Sequence, residues 1–131
     1  MHLNHINIPV PDVAACSDFL KTFFDMKSLG YKESHVMSLL TDGHGMVLNI
    51  ENFDRQSEVT YPSTFHIGFM RDSREAVDEA YRRLTEAGYA AEPPRVFHGA
   101  WTFYVKSPAG FTVEVQHLES QPPSRNTGIA S

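Results

Sequence analysis

The chain repeats itself, and the repeat limits what it can fold into. Residues 3–10 read Leu-Asn-His-Ile-Asn-Ile-Pro-Val, and residues 64–71 read Thr-Phe-His-Ile-Gly-Phe-Met-Arg. Both are short β-prone runs in which a histidine precedes an isoleucine, and His5 and His66 stand 61 positions apart. The segments after the two runs match as well. After the first, Val13–Phe24 carries apolar residues at positions 13, 16, 19, 20, 23 and 24, a helical spacing with Asp12 placed as N-cap. After the second, Ala76–Ala87 carries Ala76, Val77, Ala80, Tyr81 and Leu84 as its apolar stripe. Asp72 with Glu75 reads as a capping box there, and Gly88 as the residue just past the helix.

Strand signals come after each helix. In the first half they cover 29–34, 36–41 and 46–52, with a turn at Asp42-Gly-His-Gly45. In the second half they cover 89–97, 101–106 and 111–118, with a turn at Ser107-Pro-Ala-Gly110. The chain therefore reads β-α-β-β-β twice, an α+β protein. The first module is expected over 1–53, a linker over 54–63, the second module over 64–118 and a flexible tail over 119–131.

Composition removes several function classes. The 131 residues are 41% hydrophobic and 21% charged with a net charge of −5, so a packed core is within reach and a basic nucleic-acid footprint is absent. No apolar run is long enough for a spanning helix, and the first residues lack a secretory pattern, so neither a membrane nor export is expected and the cytoplasm is the default location. One cysteine, Cys16, against seven histidines excludes an internal disulfide and a cysteine-rich zinc site. Any metal here would use histidine and carboxylate.

Side chains alternate along a strand, and this sorts the histidines. Ile6, Ile8 and Val10 share one face and His5 and Asn7 the other. Phe65, Ile67 and Phe69 oppose His66 and Gly68; Val113 and Val115 oppose Glu114 and Gln116; Leu48 and Ile50 oppose Asn49 and Glu51. Trp101, Phe103 and Val105 oppose Thr102, Tyr104 and Lys106. One face is apolar and takes the helices. The other gathers His5, His66, Glu114, Asn49, Glu51 and Tyr104, which is either a solvated antiparallel face or a site. Two histidines at matching repeat positions plus a carboxylate form a set suited to a divalent metal with open positions, above all non-haem Fe(II).

At these residues the sequence resembles the vicinal oxygen chelate superfamily, which includes glyoxalase I, bleomycin- and fosfomycin-resistance proteins, methylmalonyl-CoA epimerase and the extradiol dioxygenases. The resemblance spans about residues 1–118. It rests on His5 in Leu-Asn-His-Ile, His66 in Phe-His-Ile-Gly, and Ser-Pro-Ala-Gly-Phe-Thr-Val-Glu114-Val. It implies paired βαβββ modules forming a cupped mixed sheet, with helices on the outer face, around a divalent ion that chelates adjacent oxygens of a small substrate. It implies His5, His66 and Glu114 as metal ligands. The fourth ligand of glyoxalase I falls on Asn49 here, with Glu51 one pleat along, so both are kept as a possible substrate or fourth-ligand position. The Phe103-Tyr104 pair before Pro-x-Gly resembles the dioxygenases, where the tyrosine bonds a substrate oxygen; His98 is the acid-base candidate in the neighbouring loop.

The reading is a metal-dependent enzyme, dioxygenase-like on a catechol-type compound, with Fe(II) or Mn(II) first and Zn(II), Ni(II) or Co(II) as alternatives. The alternatives are glyoxalase- or epimerase-type lyase or isomerase chemistry, and a non-catalytic antibiotic binder of the bleomycin-resistance kind. The resemblance implies that the modules pair either within one chain or across a two-fold dimer; a homodimer is expected, and in the second arrangement His5 of one chain joins His66 and Glu114 of the other. His117 opposes Glu114 on the strand and is read as structural; Cys16 is read as a packed small hydrophobe.

Overall fold

A computed structural model describes residues 1–30 and 34–119. The element order is β1 (His5–Pro9), α1 (Val13–Phe23), β2 (Lys27–Ser28), β3 (Met37–Thr41), β4 (Val47–Glu51), β5 (His66–Met70), α2 (Arg74–Glu86), β6 (Arg95–Phe97), β7 (Ala100–Lys106) and β8 (Thr112–Leu118). The strands form two four-stranded mixed sheets ordered β1-β4-β3-β2 and β5-β8-β7-β6. Each is a βαβββ module, so the repeat read in the sequence is a repeat of topology. In each, the first strand runs parallel to the last and the other pairs are antiparallel.

Both helices start and stop where local chemistry tells them to. Asp12 Oδ1 accepts from the Ala15 N–H at 3.0 Å, which caps α1. The second cap differs from expectation. Ser73, not Asp72, is the N-cap of α2, and its hydroxyl accepts from the Ala76 N–H at 3.1 Å. The helix begins one residue later than a cap at Asp72 requires, so Glu75 lies in the first turn where its charge meets the helix dipole. At the other end the N–H groups of Gly88 and Tyr89 bond back to Thr85 and Leu84, and Gly88 takes φ +100°. This left-handed cap requires glycine's freedom.

Two strands are shorter than their sequence signals. The strand expected over 29–34 is instead the two-residue β2, paired Lys27↔Thr41 and Ser28↔Leu40. Leu29 and Gly30 leave the strand as Gly30 turns at φ +87°, and residues 31–33 of that expectation lie outside the described residues. The strand expected over 89–97 survives only as β6, preceded by a single bridge from Ala91 to Val105. Pro93 and Pro94 lack the N–H that a continuous ladder needs. Of the expected tail, residues 120–131 lie outside the described residues.

Each helix packs on the apolar face of its own sheet. Ile8, Leu40, Leu48 and Ile50 meet Val13, Cys16, Phe19 and Leu20 in the first module; Phe103, Val105, Val113 and Val115 meet Val77 and Leu84 in the second. All are nearly inaccessible. Aromatic contacts join the modules: Phe19 and Phe23 meet Tyr89 at centroid distances of 5.0 and 5.6 Å, and Phe24 meets Phe69 at 4.8 Å. The Tyr61 hydroxyl donates to the Pro9 carbonyl across the junction at 2.5 Å. Among the described residues no helix is long and apolar enough to cross a membrane.

Candidate functional site

Strand register brings the second module's polar residues together. β5 lies beside β8 with Gly68 opposite Glu114, and Tyr104 on β7 faces Glu114 from the other side. The Glu114 carboxylate lies over Gly68. A Cβ built at Gly68 would stand 3.9 Å from Glu114 Oε1. Glu114 Oε1 lies 3.4 Å from His66 Nε2.

Both groups are held by a second contact. His66 Nδ1 is 2.9 Å from the Thr64 carbonyl, an acceptor only, so the ring proton is assigned to Nδ1 and the Nε2 lone pair points at Glu114. Glu114 Oε2 accepts from the Thr102 hydroxyl at 2.7 Å, leaving Oε1 for His66. In the neutral ring this tautomer sets two electron-pair donors, Nε2 and Oε1, beside each other. Ligands about 2.1 Å from a shared ion stand about 3.0–3.4 Å apart, so this pair fits a divalent cation. The outer hydrogen bonds are of the type that fixes metal ligands in orientation.

Tyr104 borders the pair edge-on, with ring centroids 5.9 Å from His66. Partial burial and the neighbouring Glu114 carboxylate hold its hydroxyl above the usual tyrosine range, so at neutral pH it is a hydrogen-bond donor. His66 and Gly68 also border a cleft of about 740 Å³ whose other lining includes Ile6, Met46 and Leu48 of the first module.

The first module repeats this geometry with different residues. Asn7 stands opposite Asn49 in the register that places Gly68 opposite Glu114. Asn49 therefore occupies the position equivalent to Glu114. Asn49 Nδ2 donates to Asn7 Oδ1 at 2.6 Å, Asn7 Nδ2 donates to Glu51 Oε2 at 2.7 Å, and the Phe53 N–H donates to Glu51 Oε1 at 2.8 Å. Glu51 is buried at 8% exposure with both oxygens occupied. His5 is exposed, with Nδ1 2.9 Å from Asn4 Oδ1. The chain brings His66, Glu114 and Tyr104 together but does not add His5 to them. Among the described residues no three His, Cys, Asp or Glu side chains group within one chain. His98 is in the β6–β7 turn at φ +52° with its ring 3.9 Å from that of Phe97, away from the His66–Glu114 pair. His117 is on the helix side of β8, with Nδ1 3.1 Å from the Arg71 carbonyl.

Thr102 carries a role that sequence reasoning missed. It is 1% exposed, and its hydroxyl also lies 3.0 Å from the Val115 carbonyl. The available signal was its place on the polar face, one pleat from Tyr104.

The paired modules match those of a known family. Residues 2–115 match the family model for the Glyoxalase/Bleomycin resistance protein/Dioxygenase superfamily, and the chain belongs to that superfamily. The chain is similar to a possible glyoxalase from Bacillus cereus at 40% identity and TM-score 0.79, over 88% of this chain and 98% of that one. It is similar to the fosfomycin resistance protein FosX from Listeria monocytogenes at 26% identity and TM-score 0.69, over 89% and 93%. It shares its fold with a lactoylglutathione lyase from Agrobacterium tumefaciens at 18% identity and TM-score 0.71, over 90% and 94%.

Proposed function

We propose that this chain is a metal-dependent enzyme that acts on a small substrate bearing adjacent oxygens, in the manner of a ring-cleaving dioxygenase. The observation that carries the reading is the His66 Nε2–Glu114 Oε1 approach of 3.4 Å, with Tyr104 against it. His66 and Glu114 would hold the ion, joined by His5 of a second copy. Three protein ligands leave open positions, and Fe(II) or Mn(II) suits such a set. When bound, the ion supplies Lewis-acid polarisation of the two substrate oxygens and a template that aligns them.

The chain's own residues do the rest. Thr102 keeps Glu114 aimed at His66, and the Thr64 carbonyl keeps the His66 proton on Nδ1. Tyr104 stays protonated and donates to a substrate oxygen, orienting it against the ion. Homodimer formation supplies the missing histidine. β1 and β5 each end a sheet with one edge unpaired among the described residues, which gives a second copy a place to pair. A reducing, cytoplasmic setting suits the single buried thiol of Cys16.

Of the two carboxylates that a lyase or isomerase could use to move a proton, Glu51 is buried and held by Asn7 and the Phe53 amide, which favours Glu114 for that role. The glyoxalase-type reading retains the support of the 40% identity to the possible glyoxalase from Bacillus cereus. Anaerobic loading with Fe(II), then addition of catechol and oxygen, tests the preferred reading through the yellow ring-cleavage product. A panel of substituted catechols that gives no product, with hemithioacetal turnover in its place, would move the assignment to the lyase. His66→Ala abolishes metal binding on either reading; unchanged affinity there overturns both.

A further inference from the structure

Among the described residues, one cation on the second module's polar face has neither an anionic partner nor a hydrogen-bond acceptor. Arg95 pairs in register with Thr102, which puts it on the face that carries Tyr104 and Glu114. Its guanidinium lies over the Phe97 ring with Cζ 4.4 Å from the centroid. Four other arginines are engaged. Arg71 holds Asp25, Arg74 holds Glu119, Arg82 holds Glu79 and Glu86, and Arg83 donates to the Thr22 carbonyl. Arg95 donates to no acceptor among the described residues, and it is exposed.

The Phe97 seat fixes the guanidinium by cation–π contact while leaving its N–H fork open. β6 is two strands from β8 in the sheet and Arg95 is level with Gln116, so the Arg95 backbone lies about 12 Å from that of Glu114. A fork held open at that distance suits a charged group at the far end of a small molecule whose near end meets His66 and Glu114. One unpaired cation matches a single negative charge, and the planar fork matches a carboxylate.

We propose that Arg95 is a specificity-determining residue that binds a carboxylate carried by the substrate on a short arm, remote from the oxygens presented to His66 and Glu114. This rests on the metal-site reading above, which sets the near end. The substrate class is accordingly a vicinal-oxygen compound with an acidic side chain.

The test is calorimetric titration of the Zn(II)-loaded protein with catechol and with dihydrocaffeate, a catechol bearing a propionate arm. Dihydrocaffeate is expected to bind about tenfold more tightly, the scale of one charge-assisted hydrogen-bond pair. Arg95→Gln removes the preference while leaving the catechol affinity unchanged, and Arg95→Lys keeps part of it. Equal affinities in the wild type, failure of both compounds to bind, or a preference that survives Arg95→Gln overturns the proposal. Zinc content of the same samples separates the two readings. Zinc retained without the preference removes the Arg95 assignment alone, and zinc lost from the wild type removes the metal site with it.

Discussion

Thr102→Val asks most of the site's second layer. The substitution keeps the side chain's shape and removes its only donor. Thr102 is 1% exposed and its hydroxyl lies 2.7 Å from Glu114 Oε2. A hydrogen bond to a charged acceptor contributes about 1.5–3 kcal/mol. The added buried methyl returns about 0.8 kcal/mol, so the net loss is about 1–2 kcal/mol in the metal-free protein. Urea unfolding reads this as a lower midpoint at unchanged slope. Without the donor Glu114 is no longer held with Oε1 toward His66, and zinc affinity falls about 10- to 100-fold, the range for outer-layer partners of metal ligands. Chelator competition measures it. Thr102→Ser keeps the donor and is expected to keep the zinc affinity while losing stability from the missing methyl. A Thr102→Val protein that binds zinc as tightly as wild type would refute the orienting role, whatever its stability.

Other substitutions test the fold and the first module. Asn7→Ala strips one donor from the buried Glu51 carboxylate and lowers stability by about 1.5–3 kcal/mol, with zinc content unchanged; lost zinc would show that Glu51 or Asn7 serves the ion. Ser73→Ala destabilises α2 by about 1 kcal/mol whereas Asp72→Ala costs less than about 0.5 kcal/mol, checked by urea midpoints; the reverse order would restore the cap to Asp72. Burial, with Asp12 adding, pushes Cys16 from 9.0 up to about 12, and burial, with Cys16 adding, pushes Tyr61 from 10.0 up to about 12. Both folded values are raised, so this stability is fully present below pH 9 and is lost as pH rises to about 12. Cys16→Ala is expected to move the onset of that loss up toward pH 10, where Tyr61 begins to ionise in the unfolded chain.

Much of this was legible in the sequence because strand alternation and the repeat are both one-dimensional signals. They placed His66, Glu114 and Tyr104 on one face, and register then brought them into contact. Three things needed coordinates. Glu51 looked like an available carboxylate, but Asn7 and the Phe53 amide occupy it, and cross-strand partners do not show in spacing. Thr102 looked like one polar residue among several, and only its burial and its 2.7 Å contact distinguish it. The cap at Ser73 rather than Asp72 and the short β2 and β6 are local boundary effects: two adjacent cap formers compete for one helix end, Gly30 turns the chain out of β2, and Pro93 and Pro94 lack the N–H groups that would extend β6.

The central claim is that His5 of one copy completes a site begun by His66 and Glu114 of another. Mixing the His5→Ala and Glu114→Ala proteins, after unfolding and refolding together, tests it directly. Each variant alone is expected to bind no zinc. In the mixture, half of the dimers pair unlike chains, and one of their two sites regains all three ligands, so about one quarter of the wild-type zinc should return. No recovery in a mixture shown to contain mixed dimers, or full zinc binding by either variant alone, would contradict the account.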